Sequence, residues 1–180
     1  MIEINDPNAV LVEARHALSE GRIIYENKLS RRLHALAEAQ DEKAKAFFVQ
    51  VMQTAEDSEW RLETLRDIGF HYDLSHDPAI VRQIREMLLS DPDEDVRNAA
   101  AIILGSQSSW PDRALYRAML NDAHNGVRLS AFEALLTLSG MSYKEYTHAY
   151  AQAKAGKISI TPESLKALVG DKFSELVQNE

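Results

Sequence analysis

The sequence predicts an all-α protein, a right-handed α-solenoid in which antiparallel helix hairpins stack on one another. Three observations predict this class. Helix-start signals such as Asp77-Pro78 recur along the whole chain, and strand signals are nearly absent. A ten-residue phrase at 91–100 returns at 122–131, so its copies begin 31 positions apart. A fixed period of that size is typical of stacked helical units, each of which buries its apolar face against its neighbours.

Each predicted helix is bounded by recognisable capping residues. Four prolines follow a capping side chain and suit the first helical position, while glycines stand where a left-handed C-terminal cap is expected. Ser142 and Glu145 have the spacing of a capping box. The pairs are Asp6-Pro7, Asp77-Pro78, Asp91-Pro92 and Thr161-Pro162, and the glycines are Gly21, Gly69, Gly105 and Gly140. The predicted helices are 7–20, 22–40, 42–56, 58–69, 78–90, 92–105, 111–121, 124–139, 143–155 and 162–178.

The repeated phrase also predicts how the chain is organised. Its apolar positions follow the spacing of a stripe buried along one side of a helix. Small residues such as Ala99 and Ser130 on that stripe allow a neighbouring helix to approach closely. The expected organisation is a helical cap or diverged repeat at 1–56, hairpin repeats at 57–90, 91–121 and 122–155, and a C-terminal capping helix within 156–180.

The phrase resembles that of HEAT repeats, whose first helix carries Asp-Pro-x-x-x-Val-Arg-x-x-Ala-x-x-x-Leu-Gly. Residues 91–121 match it nearly position by position, and residues 122–153 match it without the proline. A weaker copy at 57–90 has Trp60-Arg61 in place of Val-Arg. The resemblance implies stacked hairpins and a structural ladder of aspartates and arginines between successive first helices. The residues that it assigns to this ladder are Asp91, Arg97, Asp122 and Arg128, with Asp93 beside them.

Composition narrows the classes of function. The chain has 180 residues, no cysteine and a net charge of −8, which disfavours nucleic acid and anionic membranes as partners. No secretory signal or membrane-length apolar run is visible, so we expect a cytoplasmic protein. Motifs for nucleotide binding or hydrolysis are absent, so we expect no catalytic residue and no cofactor. His71, Asp73, His76 and Asp77 lie close in sequence but lack a fixed-spacing motif, and we predict no metal site.

Candidate binding residues lie on the second helix of each predicted hairpin, which lines the concave side of such an array. These helices are mildly basic, whereas the first helices are acidic. Arginine and tyrosine are enriched at binding hot spots. The concave-face candidates are Arg82, Arg85, Arg113, Tyr116, Arg117, Tyr143, Tyr146 and Tyr150, and the acidic-face alternative is Asp93, Glu94 and Asp95.

The predicted function is that of a non-enzymatic protein-interaction module, an adaptor, inhibitor or immunity-type protein that binds another protein by shape and charge. An acidic surface would suit a basic partner. The alternative follows from the resemblance, because DNA glycosylases for alkylated bases are similar helical arrays with a basic, aromatic cleft. The residues that could imitate such a cleft are Trp60, Trp110, Arg113 and Tyr116.

Overall fold

A computed structural model describes residues 6–178, which contain α-helices and two short 3-10 helices but no strand. The predicted all-α class is therefore confirmed for this part of the chain. It divides into two compact units, unit 1 up to His76 and unit 2 from Asp77. None of the described helices is long and apolar enough to cross a membrane. The helices are α1 (Pro7–Ser19), α2 (Leu29–Glu38), α3 (Glu42–Thr54), α4 (Ser58–His71), α5 (Pro78–Ser90), α6 (Glu94–Gln107), α7 (Arg113–Asn121), α8 (Asn125–Leu138), α9 (Tyr143–Lys154), α10 (Pro162–Val169) and α11 (Phe173–Val177).

Unit 1 packs α1 and α3 against α2, and α4 against both α2 and α3. The core contains Trp60, which is 1% exposed, meets the Phe47 ring edge-on and donates its indole N–H to the carbonyl of Arg22 at 2.8 Å. The prediction of one helix over 22–40 was wrong, because α2 begins only at Leu29. Asn27 and Lys28 both have positive φ angles, 50° and 59°, and such backbone cannot continue a right-handed helix.

Unit 2 is centred on α8, which packs against α6, α7, α9 and α10, while α5 packs on α6 and α7. Gly105 allows α6 and α8 to approach closely, since a Cβ atom there would lie 3.0 Å from the Cβ of Ala134. Our prediction that Gly105 ends its helix was wrong, as α6 continues to Gln107, and Gly69 likewise lies inside α4. The left-handed caps at Gly21 and Gly140 are confirmed by φ angles of 66° and 82°.

Two helices of unit 2 begin later than their prolines indicated. Asp91 accepts a hydrogen bond from the Asp93 N–H at 3.0 Å, and this turn delays the helix. Asp93 then caps α6, accepting from the N–H groups of Asp95 and Val96. Asp112, which is buried, caps α7 in the same way. By contrast, the capping box of Ser142 and Glu145 at the start of α9 is confirmed.

The prediction of one continuous C-terminal helix over 162–178 was also wrong. Gly170, with φ 61° and ψ −133°, ends α10, and a 3-10 turn leads into α11. Leu165 and Leu176 are buried, and the Lys172 ammonium donates a hydrogen bond to the carbonyl of Ser139 at the end of α8. The interrupted segment is therefore fastened to unit 2 at several points.

Candidate functional site

One arginine in each copy of the phrase makes the same backbone contacts. The Nη1 of Arg97 donates to the carbonyls of Asp91 and Pro92, at 2.9 and 3.2 Å. The Nη1 of Arg128 likewise donates to the carbonyls of Asp122 and Ala123, six and five residues before it, at 2.7 and 3.3 Å. The Nη1 of Arg61 donates to the carbonyls of Ala55 and Glu56, at 2.9 and 2.7 Å. Each guanidinium thus ties its helix to the loop that precedes it. The shared geometry supports the alignment of Arg61 with the two later arginines.

Arg97 also forms a two-point ion pair with Asp122, in the loop before α8. Its Nε and Nη2 donate to the two carboxylate oxygens at 2.7 and 3.1 Å, and the side chains are only 15% and 7% exposed. Burial raises the pKa of Asp122, but hydrogen bonds from Arg97 and from the N–H of His124 outweigh it and hold this pKa below its ordinary value. Arg128 directs its Nη2 to Asn125 instead, at 3.1 Å.

The arginines predicted for the concave face divide into two groups. Arg85 pairs with Asp112, Nε to Oδ2 at 2.9 Å, and also donates to the Ser108 hydroxyl. Arg113 donates to the backbone carbonyl of Gln178 at 2.8 Å. Both side chains therefore make polar contacts within unit 2. Arg82 and Arg117 are exposed.

The tyrosines predicted for that face also differ in exposure. Tyr116 was wrongly placed at the surface: it is 6% exposed and meets the Phe173 ring edge-on, with centroids 6.0 Å apart. The folding back of the C-terminal segment covers it. Tyr143 is 76% exposed and its ring lies edge-on to that of Tyr146. Tyr150 is partly buried, with the Lys154 ammonium 6.0 Å from its ring.

A groove of about 330 Å³ lies between the C-terminal ends of α5 and α7 and is here named the α5–α7 groove. Its wall combines apolar and polar surface. Leu89 is 41% exposed, and Arg117 and Asn121 are exposed on the α7 side. The Arg97–Asp122 pair belongs to the same wall. The full lining is Leu88, Leu89, Ser90, Asp91, Arg97, Arg117, Ala118, Asn121, Asp122 and Ala123.

The acidic-face candidates lie at the start of α6. Asp93 is only partly exposed, because its carboxylate caps the helix. Glu94 and Asp95 are exposed in the first turn, where negative charge suits the helix dipole. The Glu94 carboxylate lies 3.9 Å from the His124 Nε2. Of the predicted three residues, Glu94 and Asp95 are therefore the exposed ones.

In unit 1 the structure brings together His34, Asp67 and His71, a cluster that the sequence analysis missed apart from His71. The His34 Nδ1 lies 2.8 Å from an Asp67 oxygen, and the two imidazole rings are edge-on, 4.7 Å apart. Burial raises the pKa of Asp67 to about 6, against the lowering effect of His34. Burial and the charge of His34 lower the pKa of His71. The available signal was the four-residue spacing of Asp67 and His71, which places both on one helix face.

The neighbours in sequence that we had considered for a metal site do not join this cluster. Asp73 instead accepts a hydrogen bond from the Ser75 N–H at 2.9 Å. Three of the residues considered for a glycosylase cleft are buried or hydrogen-bonded within their own unit. Trp60 and Tyr116 are buried, and Arg113 is bound to backbone.

A family model described as HEAT repeats matches residues 46–136, just over half of the chain. The resemblance predicted from the repeated phrase is thereby confirmed. No curated protein and no solved structure matches the chain significantly.

Proposed function

The chain belongs to the HEAT-repeat family, whose members commonly serve as protein-interaction scaffolds, and from that premise we propose that it is a non-enzymatic protein-binding module. The role is that of an adaptor, inhibitor or immunity-type protein. The α5–α7 groove carries this proposal. It is a concave surface lined by an exposed leucine from α5 and an exposed arginine from α7, a combination suited to binding a protein segment.

The groove also indicates what its occupant presents. Arg97 is neutralised by Asp122 and bonded to backbone, so it has little left to offer a ligand. Arg117 is exposed and available to a carboxylate, and Leu89 to an apolar side chain. The occupant is therefore a partner segment with an acidic residue beside an apolar one.

The test compares two charge reversals in a pull-down from the native cell extract at low and moderate salt. Arg117→Glu changes the groove, and Lys166→Glu makes the same charge change on exposed surface of α10, outside it. We expect a protein captured by the wild type and by Lys166→Glu to be lost with Arg117→Glu. Equal capture by all three would refute the groove as the binding site. Circular dichroism of each variant establishes that it is folded.

A second candidate surface is the exposed acidic pair Glu94 and Asp95, which would suit a basic partner. Residues 57–121 carry 12 acidic and 7 basic side chains, so this part of the sequence concentrates negative charge. The variant Glu94→Lys/Asp95→Lys should lose such a partner. Glu163→Lys is a suitable control, since Glu163 is likewise exposed in a first helical turn. Loss of capture with Arg117→Glu but not with the double lysine variant would exclude the acidic surface.

A further inference from the structure

Helices α2 and α4 each carry two side chains of metal-ligand type one turn apart. His34 and Glu38 lie on α2, and Asp67 and His71 lie on α4. A four-residue spacing places both members of each pair on one face of their helix. These faces meet, because the His34 Nδ1 lies 2.8 Å from Asp67, and its Nε2 lies 3.8 Å from Glu38. The packing of α2 on α4 thus collects two imidazole nitrogens and one carboxylate oxygen, from His34, His71 and Asp67.

The distances fit a small cation after modest side-chain rotation. One donor atom each from His34, Asp67 and His71 lies within 4.8 Å of the others. Two ligands of a tetrahedral zinc ion, each about 2.0–2.1 Å from it, lie about 3.3 Å apart. His34 is 52% exposed at its side chain, so an ion can enter from solvent and the ring can turn.

The backbone around the cluster is held in place, so the ligands start close to their bound positions. The side-chain amide of Gln40 donates to the carbonyl of His71 at 2.9 Å, and the Tyr72 hydroxyl donates to the carbonyl of Asp41 at 2.8 Å. Both bonds join the end of α4 to the turn between α2 and α3. Preorganised ligands lose less conformational freedom on binding.

The charge distribution also favours a cation. The Asp67 side chain is 10% exposed, and the carboxylates of Glu63 and Glu38 act on it electrostatically. A divalent cation would offset this clustered negative charge more fully than one imidazole can.

We propose that His34, Asp67 and His71 bind one Zn²⁺. Imidazole nitrogens and carboxylate oxygens are ordinary zinc ligands, and three protein ligands leave the fourth tetrahedral position to solvent. The ion would join α2 to α4 and so stabilise unit 1. This role is separate from partner binding at the α5–α7 groove.

Zinc binding is tested on the full chain after chelator treatment and dialysis, with Zn²⁺ alone as the probe. Titration calorimetry should give one Zn²⁺ per chain for the wild type, and a hundredfold excess over Kd should raise Tm by about 5 °C or more. His71→Gln and His34→Gln should each weaken binding by at least about 100-fold, because even loss of a group that only hydrogen-bonds to a ligand costs about 10–100-fold. Co²⁺ should give the visible bands of tetrahedral coordination in the wild type, and these should vanish in both variants.

The matched control is His16→Gln. His16 also has a glutamate four residues on, Glu20 at 3.2 Å, but it is exposed and lies outside the cluster. This variant should keep the wild-type affinity within about twofold. Circular dichroism without metal establishes that each variant is folded, and the use of two separate ligand variants guards against a misfolded one. The proposal would be overturned if the wild type bound no Zn²⁺ at micromolar concentration, or if His34→Gln and His71→Gln both kept the wild-type affinity.

Discussion

Replacing Arg97 with alanine tests the structural ladder most directly. The change removes the two-point pair with Asp122 and both bonds to the carbonyls of Asp91 and Pro92. Asp122, 7% exposed at its side chain, is left without its counter-charge. Removing one partner of a buried pair costs about 3–5 kcal/mol, and we expect the lower end, about 3 kcal/mol, because the His124 N–H still bonds to Asp122.

Arg128→Ala provides an internal comparison for that value. Arg128 makes the same two carbonyl contacts but points its Nη2 to an asparagine rather than to a carboxylate. Its loss should cost about 1–2 kcal/mol, so the difference between the two variants measures the ion pair. The loss of stability in Arg97→Lys should lie between those of the two alanine variants, since lysine keeps the charge but cannot form the two-point pair.

The assay is urea unfolding followed by circular dichroism, with thermal unfolding beside it. A loss of about 3 kcal/mol corresponds to a Tm lower by about 6–12 °C for a chain of this size. A cost for Arg97→Ala below about 1 kcal/mol, or one equal to that of Arg128→Ala, would refute the reasoning that Arg97 and Asp122 stabilise unit 2 as a pair.

Three further predictions concern unit 2. Gly105→Ala should lower the free energy of unfolding in urea by about 1–2 kcal/mol, because the added Cβ would lie 3.0 Å from the Cβ of Ala134. Gly126→Ala, whose added Cβ would have no contact closer than 3.6 Å, should be neutral or stabilising. Equal effects of the two substitutions would contradict the close approach of α6 and α8. The pKa of Asp122 is lower in the folded state than in the unfolded state. The ionised carboxylate therefore contributes fully to the stability of the fold above the unfolded pKa of about 3.9, and this contribution is lost as pH falls through the lower, folded pKa. The stability difference between wild type and Asp122→Asn should therefore narrow between pH 5 and pH 3, and a constant gap over that range would argue against the depressed pKa. Phe173→Ala should expose Tyr116 and loosen α11, because it removes the ring contact between the two residues. Limited proteolysis should then cleave the C-terminal segment faster than in the wild type. An unchanged rate would show that this ring contact does not hold α11 in place.

Local signals predicted most of the fold, because helix caps and apolar spacing are properties of neighbouring residues. The stripe through Val96 and Ala99 is buried as expected, and the Ser142–Glu145 box begins α9. The helix start at Pro92 failed for a local reason, since Asp93 competed as the cap. Gly105 was interpreted as a terminator, although its smallness serves the contact with Ala134.

The candidate site was harder to predict, because its members are brought together by tertiary contacts. Tyr116 has the spacing of a surface residue, and only the return of the chain at Phe173 covers it. Arg113 is bound by Gln178, 65 positions away, which no local pattern indicates. His34 and Asp67 are 33 positions apart, and their proximity follows from the packing of α2 on α4.

The repeated arginine contact imposes a rule on chain length. In all three copies the guanidinium donates to the carbonyl six residues upstream, from Arg61 to Ala55, from Arg97 to Asp91 and from Arg128 to Asp122. Inserting or deleting a residue within any of these segments would break the contact. The stretch between α4 and α5 carries no such constraint, and the spacing from Arg61 to Arg97 is five residues longer than that from Arg97 to Arg128. Length variation among related sequences should therefore collect in such stretches and avoid the six residues before each arginine.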